Sequence, residues 1–142
     1  MTETILNFLG AGGIAQLSIG ALLLTGLVMT QVTIAGVTIY LHRHQAHRAL
    51  DLHPVIAHFF RFWLWMTTGM VTREWVAVHR KHHRFTDVEG DPHSPYLHGG
   101  VWRLLFTNVI HYRKETKKAE TVARYTDDPL LSGYVGAERL EA

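Results

Sequence analysis

The chain contains no cysteine. That excludes disulfides, thiolate zinc sites and Cys-ligated iron–sulfur clusters, leaving imidazole and carboxylate as the natural metal ligands. Charge is missing where the chain is most apolar. No Asp, Glu, Lys or Arg occurs between Thr4 and Leu41, and all 14 Lys and Arg residues lie after Leu41. With no basic residue ahead of it, and at a length well beyond an h-region, the apolar run does not read as a cleavable signal peptide. The zinc-protease pattern H-E-x-x-H is absent, and there is no internal repeat. A net charge of only +2, with the basic residues set beside aromatic ones, argues against nucleic acid as a partner.

What the chain does have is histidine, 11 in 142 residues, most of it in two clusters. The first, His42-Arg43-His44-Gln45-Ala46-His47, directly follows the apolar run Ile14–Leu41 of 28 residues. About 20 apolar residues cross a bilayer core, so residues 14–41 are expected to form one transmembrane helix after a short segment at 1–13. Arg43 and Arg48 stand just beyond it and no basic residue before it, which orients its C-terminal side toward the cytoplasm. Asp51-Leu52-His53-Pro54 reads as a helix start. Residues 54–72, rich in Phe and Trp but carrying Arg61, are expected as an amphipathic helix lying in the membrane interface. Only 31 residues separate His47 from His79, too few for the roughly 40 that two spans need, so the second cluster returns to the same face. Trp63 and Trp65 suit a headgroup-level anchor.

The second cluster, His79-Arg80-Lys81-His82-His83, places three imidazoles on one side of a helical turn, since successive residues rotate by about 100°. Residues 86–100 carry turn signals (Gly90-Asp91-Pro92, Gly99-Gly100), and Val101–Tyr112 is a short amphipathic segment. Residues 42–112 thus form an expected cytoplasmic region. Residues 113–142 are charged, with Lys114, Lys117 and Lys118 read as a solvated face. The fold class expected is all-α: one transmembrane helix, an interfacial helix and a helical histidine-rich region.

Neutral imidazole binds iron, copper, nickel and zinc. His42 and His47 are five apart, about 140° around an α-helix, so they could not both meet one ion from a straight helix; they can flank a two-metal site or sit where the helix ends. His53, His58 and His111 read as ordinary polar groups, and His93 and His98 as loop histidines. A solvated basic patch near anionic headgroups is the plain alternative for the clusters themselves.

His42-Arg43-His44-Gln45-Ala46-His47-Arg48 resembles the first histidine box, H-x(4)-H, of membrane fatty acid desaturases. Glu74-Trp75-Val76-Ala77-Val78-His79-Arg80-Lys81-His82-His83 resembles the second, H-x-x-H-H, with its upstream Glu-Trp. Asp91-Pro92-His93 and His98-Gly99-Gly100-Val101-Trp102 are similar to the following loop of the acyl-CoA Δ9 type, in its short bacterial form. The resemblance covers roughly Val32–Trp102. It implies that His42, His47, His79, His82 and His83 ligate two non-haem irons; His44 is an extra histidine. It implies O2-dependent insertion of a cis double bond into an acyl chain carried by CoA or another lipid. Electrons would come from a ferredoxin or cytochrome b5 type carrier served by an NAD(P)H reductase. Trp75, close in sequence to the second box, is read either as lining the acyl path or as an ordinary packing residue, the two weighed evenly. The family's third box, again H-x-x-H-H, has no counterpart here, so the chain is expected to be an N-terminal portion, inactive by itself. A related di-iron hydroxylase and a non-catalytic membrane metal-binding protein are the alternatives.

Overall fold

Ser18 opens the first helix: its hydroxyl accepts the amide of Ala21 at 3.2 Å, satisfying one of the donors that a helix start leaves over. In the computed structural model, residues 17–126 and positions 3, 4, 7 and 10 are described. Helix α1 (Ile19–Ala35) runs without a break into a π-helix (Gly36–Ala46). Together they make one apolar helix of 28 residues, long enough to cross a membrane. None of the side chains of α1 is buried in the protein. Leu23, Leu24, Leu27 and Val28 all point outward, as on a surface solvated by lipid. The helix runs past the expected end at Leu41 to Ala46 and carries His42 and His44 on its last turns; residues 14–16 of the expected span lie outside the described residues.

Helix α2 (Pro54–Thr68) starts where the Asp-Leu-His-Pro signal places it, with His53 accepting the Val55 amide. It stops four residues short of the expected 54–72 element. Gly69 takes φ +67°, a left-handed conformation costly for any residue with a Cβ, and donates to Trp65 O. Helix α3 (Thr72–Arg84) then begins afresh and carries the second histidine cluster.

α2 packs on the first helix at Gly36, where a Cβ would come within 3.1 Å of Phe60 and 3.3 Å of Leu64. Tyr40, Leu41, Ala57 and Leu64 form the buried cluster that joins the two. Trp63 is no free anchor, since its indole N–H donates to Thr33 Oγ1 at 2.9 Å. The buried Tyr40 hydroxyl reaches Thr72 Oγ1 at 3.1 Å and ties down the start of α3. Val76 packs on Ala46 one turn further along.

After the turns of residues 86–100 come α4 (Val101–Thr116) and α5 (Ala119–Tyr125). The charges beyond 113 do more than solvate a face. Glu115 is 5 % exposed and receives Lys81, Lys118 and the Thr121 hydroxyl, which fastens α4 and α5 to α3. Residues 127–142 lie outside the described residues. No strand occurs among the described residues.

Candidate metal centre

The two histidine clusters converge. One nitrogen each from His42, His47, His79 and His83 lies within 4.8 Å of all the others. His79 is central, its Nε2 standing 3.3 Å from Nε2 of His47 and 3.1 Å from Nε2 of His83. Imidazole nitrogens bound at about 2.1 Å to one ion lie roughly 3.0–3.4 Å apart when neighbouring, for octahedral to tetrahedral angles. The donor set, and the spacing of His79 from His47 and His83, suit one first-row metal ion, with the wider pairs drawing in by a few tenths of an ångström on binding.

The π-helix is what brings His42 and His47 together. In an α-helix they would diverge by about 140°; here bonding runs from i to i+5. The His47 amide donates to His42 O at 3.0 Å, and the two rings stand 4.5 Å apart on one face. Of the two arrangements open to them, the pair takes the one at the helix end, and the π winding turns both rings to one side. The five-residue spacing was its one local signal. Arg48, at φ +52°, ends the helix immediately after His47, and the Ala49 amide closes back on Arg43 O at 2.9 Å.

Arg80, inside the second box, holds the end of the first. Its guanidinium donates to Gln45 O (3.1 Å), Ala46 O (3.2 Å) and Tyr125 O (3.0 Å). A cation on the last carbonyls of a helix satisfies orphan acceptors and opposes the dipole. Its contacts are with residues 34, 35 and 45 positions away, beyond the reach of any local pattern.

His82 does not face the other four. Its Nδ1–H donates to Asp91 Oδ1 at 2.8 Å, and its ring lies 6.5 Å from that of His79. His44 is also outside the group, buried with its Nδ1–H on Leu50 O at 2.9 Å. Trp75 stacks nearly parallel on His79 (4.6 Å, 15°) and walls a cavity of about 180 Å³ shared with Met70, Val109 and Tyr112. Two polar atoms near this cavity, His93 Nε2 and Tyr112 Oη, are buried without a hydrogen-bond partner. His98 and His111 stack 4.0 Å apart, away from the cluster.

Electrostatics keep the cluster ready for a cation. Burial, then repulsion from His83, His42, His47 and His82, pushes the His79 pKa down to about 3. Burial and the neighbouring His42, His83 and Arg80 lower His47 as well. These rings are neutral at pH 7 and present lone pairs. The same shifts make the fold sensitive to acid. Unfolded His79 takes its proton near pH 6.5 and the folded ring only near 3, so stability is full above 6.5 and falls steadily between those values. Glu115, held down to about 2 by Lys118, Lys81 and Thr121 despite its burial, adds a loss of the same sign between pH 4.5 and 2. Glu74, raised by burial, opposes them. The melting temperature in detergent is expected to drop stepwise from pH 7.5 to 5; a rise over that interval would contradict the arrangement.

The sequence profile of the fatty acid desaturase family matches residues 17–131. The chain is 38% identical over 114 residues to a hex-5-enoyl-[acyl-carrier protein] acetylenase of Moorena producens (strain JHB), covering 68% of this chain and 36% of that protein. It is 36% identical over 76 residues to Delta-9 acyl-lipid desaturase 1 of Arabidopsis thaliana (54% of this chain, 24% of that one). It is 32% identical over 91 residues to Delta-9 desaturase-like 5 protein of the same plant (62% and 30%). The chain thus spans between about a quarter and about a third of the length of these relatives. No solved structure matches it significantly. The matched region contains both histidine clusters and the membrane-length helix beneath them, and the chain belongs to the fatty acid desaturase family.

Proposed function

We propose that this chain supplies the first two histidine boxes of a membrane acyl-chain desaturase, with non-haem iron as its metal. One observation carries the reading: four imidazole nitrogens from two segments 32 positions apart meet within 4.8 Å at the end of a membrane-length helix. His42, His47, His79 and His83 would hold one iron. His82, turned away from them with its Nδ1 on Asp91, would serve a second through Nε2. Bound iron supplies, with O2 as co-substrate, the power to oxidise an unactivated methylene, which no side chain has.

The protein's own part is placement. The π turn, Arg80 and Trp75 fix the rings. An acyl tail would approach along the apolar side of Trp75, where the cavity shared with Met70 and Val109 lies. The relatives' names speak of acyl-lipid and of acyl-carrier-protein chemistry; what they share, an acyl chain, is the substrate class proposed. Electrons would reach the site from a ferredoxin or cytochrome b5 type carrier and its NAD(P)H reductase. The exclusive placement of Lys and Arg after Leu41 supports a cytoplasmic position for the boxes. The exposed Phe59, Phe62 and Trp65 of α2 support an interfacial setting for that helix.

Five imidazoles fall short of two six-coordinate irons. The chain purified in detergent is therefore expected to bind iron tightly without oxidising an acyl chain. Metal analysis after anaerobic Fe(II) loading, followed by product analysis with stearoyl-CoA, reductant and O2, checks both parts. Absence of bound iron would refute the metal reading, and an alkene from this chain alone would refute the inactivity.

A further inference from the structure

The carboxylate of Asp91 is buried and serves three donors. Its Oδ1 accepts His82 Nδ1–H at 2.8 Å and the His93 amide at 2.8 Å, while Oδ2 accepts the Asp87 amide at 2.9 Å. Asp91 is 3 % exposed, so water does not compete for these bonds. Its main-chain oxygen accepts His98 Nε2 at 3.3 Å, which anchors the same residue from behind. Asp87 stands in the left-handed region at φ +60° and its own carboxylate accepts Ser94 Oγ at 2.8 Å. The loop therefore holds one carboxylate rigidly against one ring of the second box.

A carboxylate can only accept, so the proton of neutral His82 must sit on Nδ1 and the lone pair on Nε2. The same bond sets the ring plane. His82 stays 6.5 Å from His79 and 5.6 Å from His83, whereas those two rings stand 4.6 Å apart.

We propose that Asp91 is a positioning residue: it fixes the Nδ1–H tautomer of His82 and holds that ring out of the four-imidazole group, so that Nε2 is offered to a separate ion. The separate ion rests on the iron reading given above; the tautomer and the ring position do not. Carboxylate–histidine–metal relays of this kind orient metal-binding imidazoles in many metalloproteins.

The test uses the full chain in detergent micelles, ¹⁵N-labelled at histidine and free of metal. Long-range ¹H–¹⁵N correlation is expected to show His82 as the Nδ1–H form alone. In D91N, which keeps the size but not the charge, the tautomer ratio shifts by at least about tenfold toward Nε2–H, the loss of one charge-assisted hydrogen bond. S94A removes a neighbouring loop bond and leaves the ratio unchanged. Co(II) titration then reads the four-imidazole group: D91N binds the ion within a few-fold of wild type, but its absorption spectrum changes as the released His82 joins the coordination sphere. An Nε2–H tautomer in the wild-type chain overturns the proposal. So does a D91N chain with an unchanged His82 tautomer, or one that no longer binds Co(II), since Asp91 would then be a general structural residue. Failure of wild type to bind any metal while the tautomer result holds would sink the iron reading and leave the Asp91–His82 relay standing.

Discussion

His79→Ala is expected to lower the affinity of the chain for Fe(II) or Co(II) by more than the roughly 10–100-fold that loss of an outer-shell partner costs. Nε2 of this residue is the one that meets both His47 and His83 at 3.1–3.3 Å, and its ring also stands 4.8 Å from that of His42. Removing it leaves three imidazoles around a gap on the helix that carries half of them. The fold survives, because alanine is the best helix former and the lost ring is only half-buried. What is lost besides the ligand is the stacking surface of Trp75. His111→Ala, whose ring lies on His98 and not in the cluster, serves as control and leaves affinity unchanged. Metal titration by calorimetry, with circular dichroism to confirm the helix content, decides the matter. An affinity within threefold of wild type for the His79 variant would mean that the four nitrogens do not act on one ion.

Glu115→Ala is expected to cost about 3–5 kcal/mol, the range for removing one partner from a buried charged network. The carboxylate side chain is 7% exposed, and that of Lys81 only 16%. Truncation leaves the Lys81 ammonium desolvated without its counter-charge, strands the Thr121 hydroxyl, and frees Lys118. The damage falls on the joint between α3, α4 and α5, so amide exchange is expected to speed up first in Ala119–Tyr125. A paired replacement, Lys81→Met with Glu115→Leu, removes both charges and recovers most of the loss. Denaturant unfolding in micelles measures all three chains. A cost below about 1 kcal/mol for the single variant would place the network among solvated surface pairs.

These outcomes show how unevenly the sequence speaks. Histidine spacing at 79, 82 and 83 is readable because a regular α-helix fixes the phase of residues three and four apart. The helix start at Pro54 was legible in its own residues, and so was the loop of 86–100, because turn chemistry is local. The stop at Gly69 was locally encoded too, but an apolar run extending to Val71 masked it. By contrast, the relation of His42 to His47 depends on a winding that local propensity does not select. Asp91 stood in plain view within Asp91-Pro92-His93, yet its role requires knowing that the loop folds back onto His82. The segment after 113 reads as charged and soluble, and only the burial of Glu115 against Lys81 reveals that it closes the structure.

Composition and order alone indicated that the chain is helical, that its first part is apolar over a membrane's depth, and that imidazole is the ligand type it offers to a metal. These follow from periodicity and side-chain type, which are properties of neighbours in the chain. The three-dimensional arrangement decided which imidazoles share a point and which one is turned away. The π segment is held by Gly36 against Phe60 and Leu64 at one end and by Arg80 on the carbonyls of Gln45 and Ala46 at the other. Those contacts join residues 24 or more positions apart, and the phase they impose on His42 and His47 has no counterpart in any short stretch of sequence.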